Sequence, residues 1–176
     1  MIHLGKDAAL QQLTAEAARL PKHYQGCAMC ALVDGFFEDT EVLASTPLAL
    51  AVLDRFAARP GHVLVILRRH VETITELSWE EYAAVQRLAW ETLQTLERSL
   101  SPCRIYVAAL GSAATRTTSF PHHHIHVVPL SDGGEADRPC RVFSWEPGVY
   151  LYAPGEARLL ADRLRKDWDK PLVSTS

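Results

Sequence analysis

Between Phe120 and Val128 the chain reads Phe-Pro-His-His-His-Ile-His-Val-Val, so four of its eight histidines fall within five positions. Ile125, Val127 and Val128 favour an extended strand, and strand side chains alternate between faces. His122, His124 and His126 then share one face, and His123, Ile125 and Val127 share the other. Three imidazoles in a row bury little apolar area, and each one needs a hydrogen-bond partner or access to solvent. A strand of this kind constrains the fold around it, which must provide either polar partners or a site. An expression tag does not explain the run, which is internal and interrupted by Ile125. Nor does one metal held by all three same-face histidines. At roughly 3.3 Å per residue the outer pair is about 13 Å apart, whereas two ligands of one zinc lie within roughly 3.5 Å. At most two neighbours could share an ion.

The 176 residues suit a single domain with a real core, and 48% apolar with 22% charged residues is ordinary for a globular chain. No apolar run approaches the length of a membrane span, and Met1 to Asp7 lacks a leader pattern, so a cytoplasmic protein with no membrane partner is expected. A net charge of −3 argues against duplex nucleic acid as the main partner. Four cysteines are too few and too unevenly spaced for a disulfide scaffold. Only Cys27 and Cys30 form a motif, a C-x-x-C pair that could be a redox couple, half of a zinc site, or coincidence. Redox is the weaker reading, since no strand-to-helix setting surrounds the pair.

Taken in order, Leu10, Leu13, Ala17 and Leu20 predict an amphipathic helix over residues 7–20, stopped by Pro21. Strands follow at Glu41 to Ser45, Leu48 to Leu53 and His62 to Leu67, the last after a Pro60-Gly61 turn. Ser78 to Glu81 is a capping box opening the longest helix, with Tyr82, Val85, Ala89, Leu93 and Leu96 at helical spacing. Tyr82 and Trp90 are read as core. Arg104 to Ala109 is a strand, followed by a loop of small residues. Val142-Phe143 and Val149 to Tyr152 are read as short strands with a turn from Trp145 to Gly148, and Leu160, Leu164 and Trp168 mark a last helix. The fold class is α+β.

His122-His123-His124-Ile125-His126-Val127-Val128 resembles the H-x-H-x-H-x-x signature of the histidine triad (HIT) superfamily of nucleotide hydrolases and transferases. Upstream, Asp54, Pro60-Gly61-His62-Val63-Leu64-Val65-Ile66 and Arg69-His70 resemble the block that precedes it in that superfamily. The resemblance covers roughly residues 27–130. It implies a HIT-like domain with a five-stranded antiparallel sheet and packed helices, a core over 27–130 with an N-terminal helix and a C-terminal extension over 131–176, and a homodimer.

The resemblance also implies chemistry at the α-phosphate of a nucleotide, as in diadenosine polyphosphate hydrolases. His124 takes the position of the nucleophile, which forms a nucleotidyl-histidine that water then hydrolyses. His126 takes the position that stabilises a phosphoryl oxygen, His122 is the first triad residue, and His62 gives support from the neighbouring strand. Asp54 matches the residue that holds the ribose, while Thr118 and Ser119 fall where the family binds phosphate. Some branches carry a structural zinc, and the matching ligands are Cys27, Cys30, His70 and His122, a closed set of four. No catalytic metal is implied.

The chain also departs from the family pattern. Thr118 stands where a glutamine is usual, Ala109-Leu110-Gly111 replaces an N-x-G, Ala57 and Leu67 replace prolines, and His123 replaces an apolar residue. Loss of the glutamine and asparagine leaves a second reading, a nucleotide-binding regulatory module with little turnover. A third is a metal hydrolase using His122 and His124 as ligands.

Overall fold

The computed structural model describes residues 1–111 and 120–168. In chain order the strands are β1 (Ile2–Leu4), β2 (Val42–Ser45), β3 (Ala49–Leu53), β4 (Val63–Leu67), β5 (Arg104–Ala108), β6 (His124–Leu130) and β7 (Val149–Leu151). The helices are α1 (Lys6–Ala18), α2 (Ala28–Val33), α3 (Trp79–Leu100), α4 (Pro139–Phe143) and α5 (Glu156–Asp167).

Five strands form an antiparallel sheet in the order β2-β3-β4-β6-β5, as expected. Every residue of β3 and β4 is buried, which explains why both read as continuous apolar runs rather than alternating ones. Their alternation still sorts the side chains. Ala49, Ala51, Leu53, Val63, Val65 and Leu67 join Ile125 and Val127 in a core with Val85, Leu88, Ala89 and Leu96 of α3. Leu50, Val52, Leu64 and Ile66 face the opposite way and pack with Cys27, Met29 and Leu32 around α2. By the same parity, β6 turns His124 and His126 toward the α2 face and leaves His123 on the α3 side. One sheet surface therefore collects the histidines and the cysteine pair.

The capping box that starts α3 is complete: Glu81 N donates to Ser78 Oγ at 3.1 Å, and Ser78 N donates to Glu81 Oε2 at 2.9 Å. Trp90, expected in the core, is instead 59% exposed, because it follows buried Ala89 and is turned about 100° away from the core-facing stripe. Tyr82 is half-buried and packs against Trp79, which is 78% exposed.

Val142-Phe143, expected as a strand, lies in α4. Pro139 at the first helical position presets the turn, and Val142 N donates to Arg138 O at 3.0 Å. The strand at residues 149–151 is present, but it pairs with β1, tying the N-terminal segment to the part of the chain after the main sheet in a separate ribbon. No helix among the described residues is long and apolar enough to cross a membrane.

Candidate active site and metal centre

His122 and His123 precede β6, and the strand proper begins at His124, whose register partner on β4 is Ile66. His126 is the partner of Leu64 on β4 and of Ala108 on β5, which puts it in the middle of the sheet. Asp54 follows β3 and His62 precedes β4, so the connector between two adjacent strands supplies both. That connector turns at Gly61, whose φ is +85°. A Cβ there would come within 2.7 Å of Leu100 Cδ1 and 3.1 Å of Pro129 Cγ, so no side chain fits without displacement.

These residues form one hydrogen-bonded line, whose direction follows from its first member. A carbonyl only accepts, so His124 Nδ1 donates to His122 O at 2.6 Å. In the neutral ring, Nε2 then holds the lone pair. His126 Nε2 lies 3.1 Å from it and is the donor, which leaves His126 Nδ1 to accept from His62 Nε2 at 3.0 Å. His62 Nδ1 faces two groups, the Ala58 N–H at 3.2 Å and Asp54 Oδ2 at 3.0 Å. It accepts the first when neutral and donates to the second when charged.

Electrostatics favours this arrangement. Burial lowers the pKa of His124 and takes His126 well below the usual imidazole value, so both are neutral near pH 7. Burial alone would raise Asp54, but the charge and hydrogen bond of His62, with the Phe56 N–H, bring it below the usual carboxylate value. Both Asp54 oxygens already have protein partners, and each keeps further accepting capacity.

Beside this line, α1 and α2 contribute Leu13, Met29 and Leu32, and the β3–β4 connector contributes Phe56, to a pocket shared with Asp54, His62, His124 and His126. Phe143 and Trp145 close another side. No motif marks these aromatic residues, because their proximity to the triad depends on long-range packing. Thr118 and Ser119 lie outside the described residues.

The His122 ring turns away from this pocket. Its Nε2 donates to Leu67 O at 2.7 Å, which leaves Nδ1 as the free lone pair, and Nδ1 is 3.4 Å from the sulfurs of both Cys27 and Cys30. Cys30 Sγ is also 3.3 Å from His70 Nδ1. These separations match those between neighbouring ligands of one tetrahedral zinc, roughly 3.5 Å given bonds of about 2.0 to 2.3 Å. The Leu67 carbonyl sets the tautomer a metal requires. Burial holds His122 down to about 4, while burial and the Cys27 sulfur push Cys30 up to about 12. Two adjacent sulfurs cannot both ionise easily here without a cation between them. The four side chains Cys27, Cys30, His70 and His122 could hold a metal ion.

Comparison with known proteins agrees with this architecture. Over 109 residues the chain is 33% identical to a HIT-like protein of Mycoplasma pneumoniae, covering 61% of this chain and 74% of that one. It is 30% identical over 101 residues to a Mycobacterium tuberculosis protein named AP-4-A phosphorylase, covering 57% of this chain but only 51% of that relative. The crystal structure of a zinc-bound histidine triad family protein from Mycobacterium smegmatis superposes with a TM-score of 0.62 at 24% identity, over 81% of this chain and 92% of that one. The profile described as the HIT domain matches residues 37–133, more than half of the sequence, and the chain belongs to the HIT family.

Proposed function

We propose that this chain cleaves or transfers a nucleoside monophosphate at its α-phosphate, with His124 as nucleophile. The observation that carries the reading is the 2.6 Å bond from His124 Nδ1 to His122 O, which leaves Nε2 as a lone-pair donor within the pocket. Attack forms a bond from Nε2 to phosphorus while the bond to the leaving group breaks, and that group departs with the electron pair. The imidazolium so formed keeps its Nδ1 proton, and the bond to His122 O becomes charge-assisted and stronger. His126, released from Nε2, donates to a phosphoryl oxygen as charge develops. Water then attacks phosphorus and releases a proton to solvent, the bond to Nε2 breaks with its electron pair returning to the ring, and the monophosphate leaves.

In this reading His122 serves His124 through its carbonyl and the metal through its ring. A zinc held by Cys27, Cys30, His70 and His122 would fix the chain at His122 and so the carbonyl that orients His124. Asp54 anchors His62 and offers its remaining acceptor sites to the ribose, and Thr118 and Ser119 contact phosphate. The chain acts as a homodimer. The exposed Trp79 and Trp90 on α3 and the edge of β5, unpaired among the described residues, support this, whereas Arg165 covers the β2 edge by donating to Val42 O at 2.8 Å.

Intact mass spectrometry after mixing with dinucleoside polyphosphates and nucleoside phosphoramidates tests the chemistry. Wild type is expected to gain a nucleotidyl adduct that His124→Ala lacks. Unchanged turnover by His124→Ala would refute it. The binding-module reading rests on Thr118 in place of glutamine, and a burst followed by fast steady turnover would exclude it.

A further inference from the structure

Two aromatic residues that line the pocket, Phe143 and Trp145, lie after the matched HIT domain, which ends at residue 133. Trp145 is the central one. Its φ is +57°, a left-handed conformation that large side chains rarely adopt and that glycine or asparagine would take at less cost. In that conformation the indole packs between two apolar clusters, one with Phe56 and Val149 and one with Val128 and Val142. Its plane lies 18° from that of Phe56, with ring centroids 6.2 Å apart, and Phe56 belongs to the connector that carries Asp54 and His62. The neighbouring Phe143 meets the His126 ring edge-on at 5.8 Å.

Two ties hold this segment to the same connector. Arg59 Nε donates to Asp137 Oδ1 at 2.6 Å, and Ala57 and Tyr150 exchange backbone hydrogen bonds of 3.1 and 2.7 Å. The open space among the residues lining the pocket is about 70 Å³, well below the roughly 300 Å³ at which pockets for small ligands begin. A whole nucleoside therefore requires lining side chains to move.

We propose that Trp145 is the base-contacting residue of this site, an indole wall that parts from Phe56 when a nucleotide enters and stacks on its base. The inference rests on the nucleotide reading above and adds to it a specificity element outside the family core. Because the wall offers an aromatic face, it recognises the base by stacking and leaves ribose and phosphate to other residues.

Calorimetric titration of the full-length zinc-loaded protein tests this, with adenosine monophosphate and ribose 5-phosphate as probes. Trp145→Ala is expected to bind adenosine monophosphate about 5- to 150-fold more weakly, the range for losing a base-stacking aromatic. Its affinity for ribose 5-phosphate should stay within about twofold of wild type. Wild type is expected to change its tryptophan fluorescence on binding adenosine monophosphate, and Trp145→Phe is expected to recover most of the affinity while losing that change. Trp145→Ala binding adenosine monophosphate as wild type does, or losing both probes equally, would overturn the wall while leaving the nucleotide reading in place. Wild type binding neither probe would overturn both.

Discussion

Asp137→Ala should be among the most damaging single changes remote from the triad. Arg59 and Asp137 are 11% and 7% exposed at their side chains, and the guanidinium also donates to Ala58 O and Ala136 O, each at 2.6 Å. Removing the carboxylate leaves a buried cation without its counter-charge, a change that costs about 3–5 kcal/mol. At about 2–4 °C per kcal/mol for a chain of this size, the melting temperature should fall by roughly 6–20 °C. Thermal melts by circular dichroism at pH 7 measure this. Arg59→Met combined with Asp137→Leu removes both charges and should melt above the single variant. The pH dependence has a definite sign. Burial alone would raise the Asp137 carboxyl, but Arg59 brings it below the usual value. Its stabilisation is therefore complete above the unfolded value of about 3.9 and is lost as pH falls through the lower folded value. The gap between wild type and Asp137→Ala should stay constant from pH 8 to about pH 5 and close below about pH 4. A gap under about 1 kcal/mol at pH 7, or a double variant less stable than the single, would refute the reasoning.

His123 is 7% exposed, and its Nε2 is buried without a partner among the described residues. His123→Leu should raise stability by about 1–3 kcal/mol, the cost of an unpaired buried polar atom, and a lower melting temperature would contradict this. Burial, with His62 and His124, takes His126 well below its unfolded value of about 6.5, so the unfolded chain binds the extra proton first. Its contribution should be whole above pH 6.5 and fall as pH drops below it by up to about 1.4 kcal/mol per pH unit, in addition to the falls from His122, His123 and His124, whose values are also lowered. His126→Gln should flatten that slope, and melts from pH 7.5 to 5 check it. Elemental analysis should find one zinc per chain in wild type and little in Cys27→Ala, with a lower melting temperature. Equal zinc in both would remove Cys27 from the ligand set.

Much of the site was legible in the sequence because its residues lie in short motifs with strong local constraints. Pro60-Gly61-His62 needs a glycine at a crowded left-handed turn, and the alternation along His124 to Val127 assigns faces before any sheet is drawn. The capping box at Ser78 and Glu81 is equally local. Trp90 lies outside the core because apolar character alone does not distinguish a buried position from one a single residue out of phase. Val142-Phe143 is helical because its β propensity is weaker than the turn started by Pro139.

What the sequence alone determined is the set of chemical groups and their order along the chain: two imidazoles on one strand face with a third just before the strand, an aspartate and a histidine bounding a connector, and two cysteines three residues apart. The tertiary structure decided which of them meet. Pairing β4 with β6 brings His62 within 3.0 Å of His126, and packing α2 on the same sheet face brings both cysteines to the ring of His122. It also draws Trp145 over Phe56 through the ribbon of β1 and β7 and the bond between Arg59 and Asp137. Such contacts between residues tens of positions apart depend on burial and charge pairing in the assembled fold, and local spacing carries no record of them.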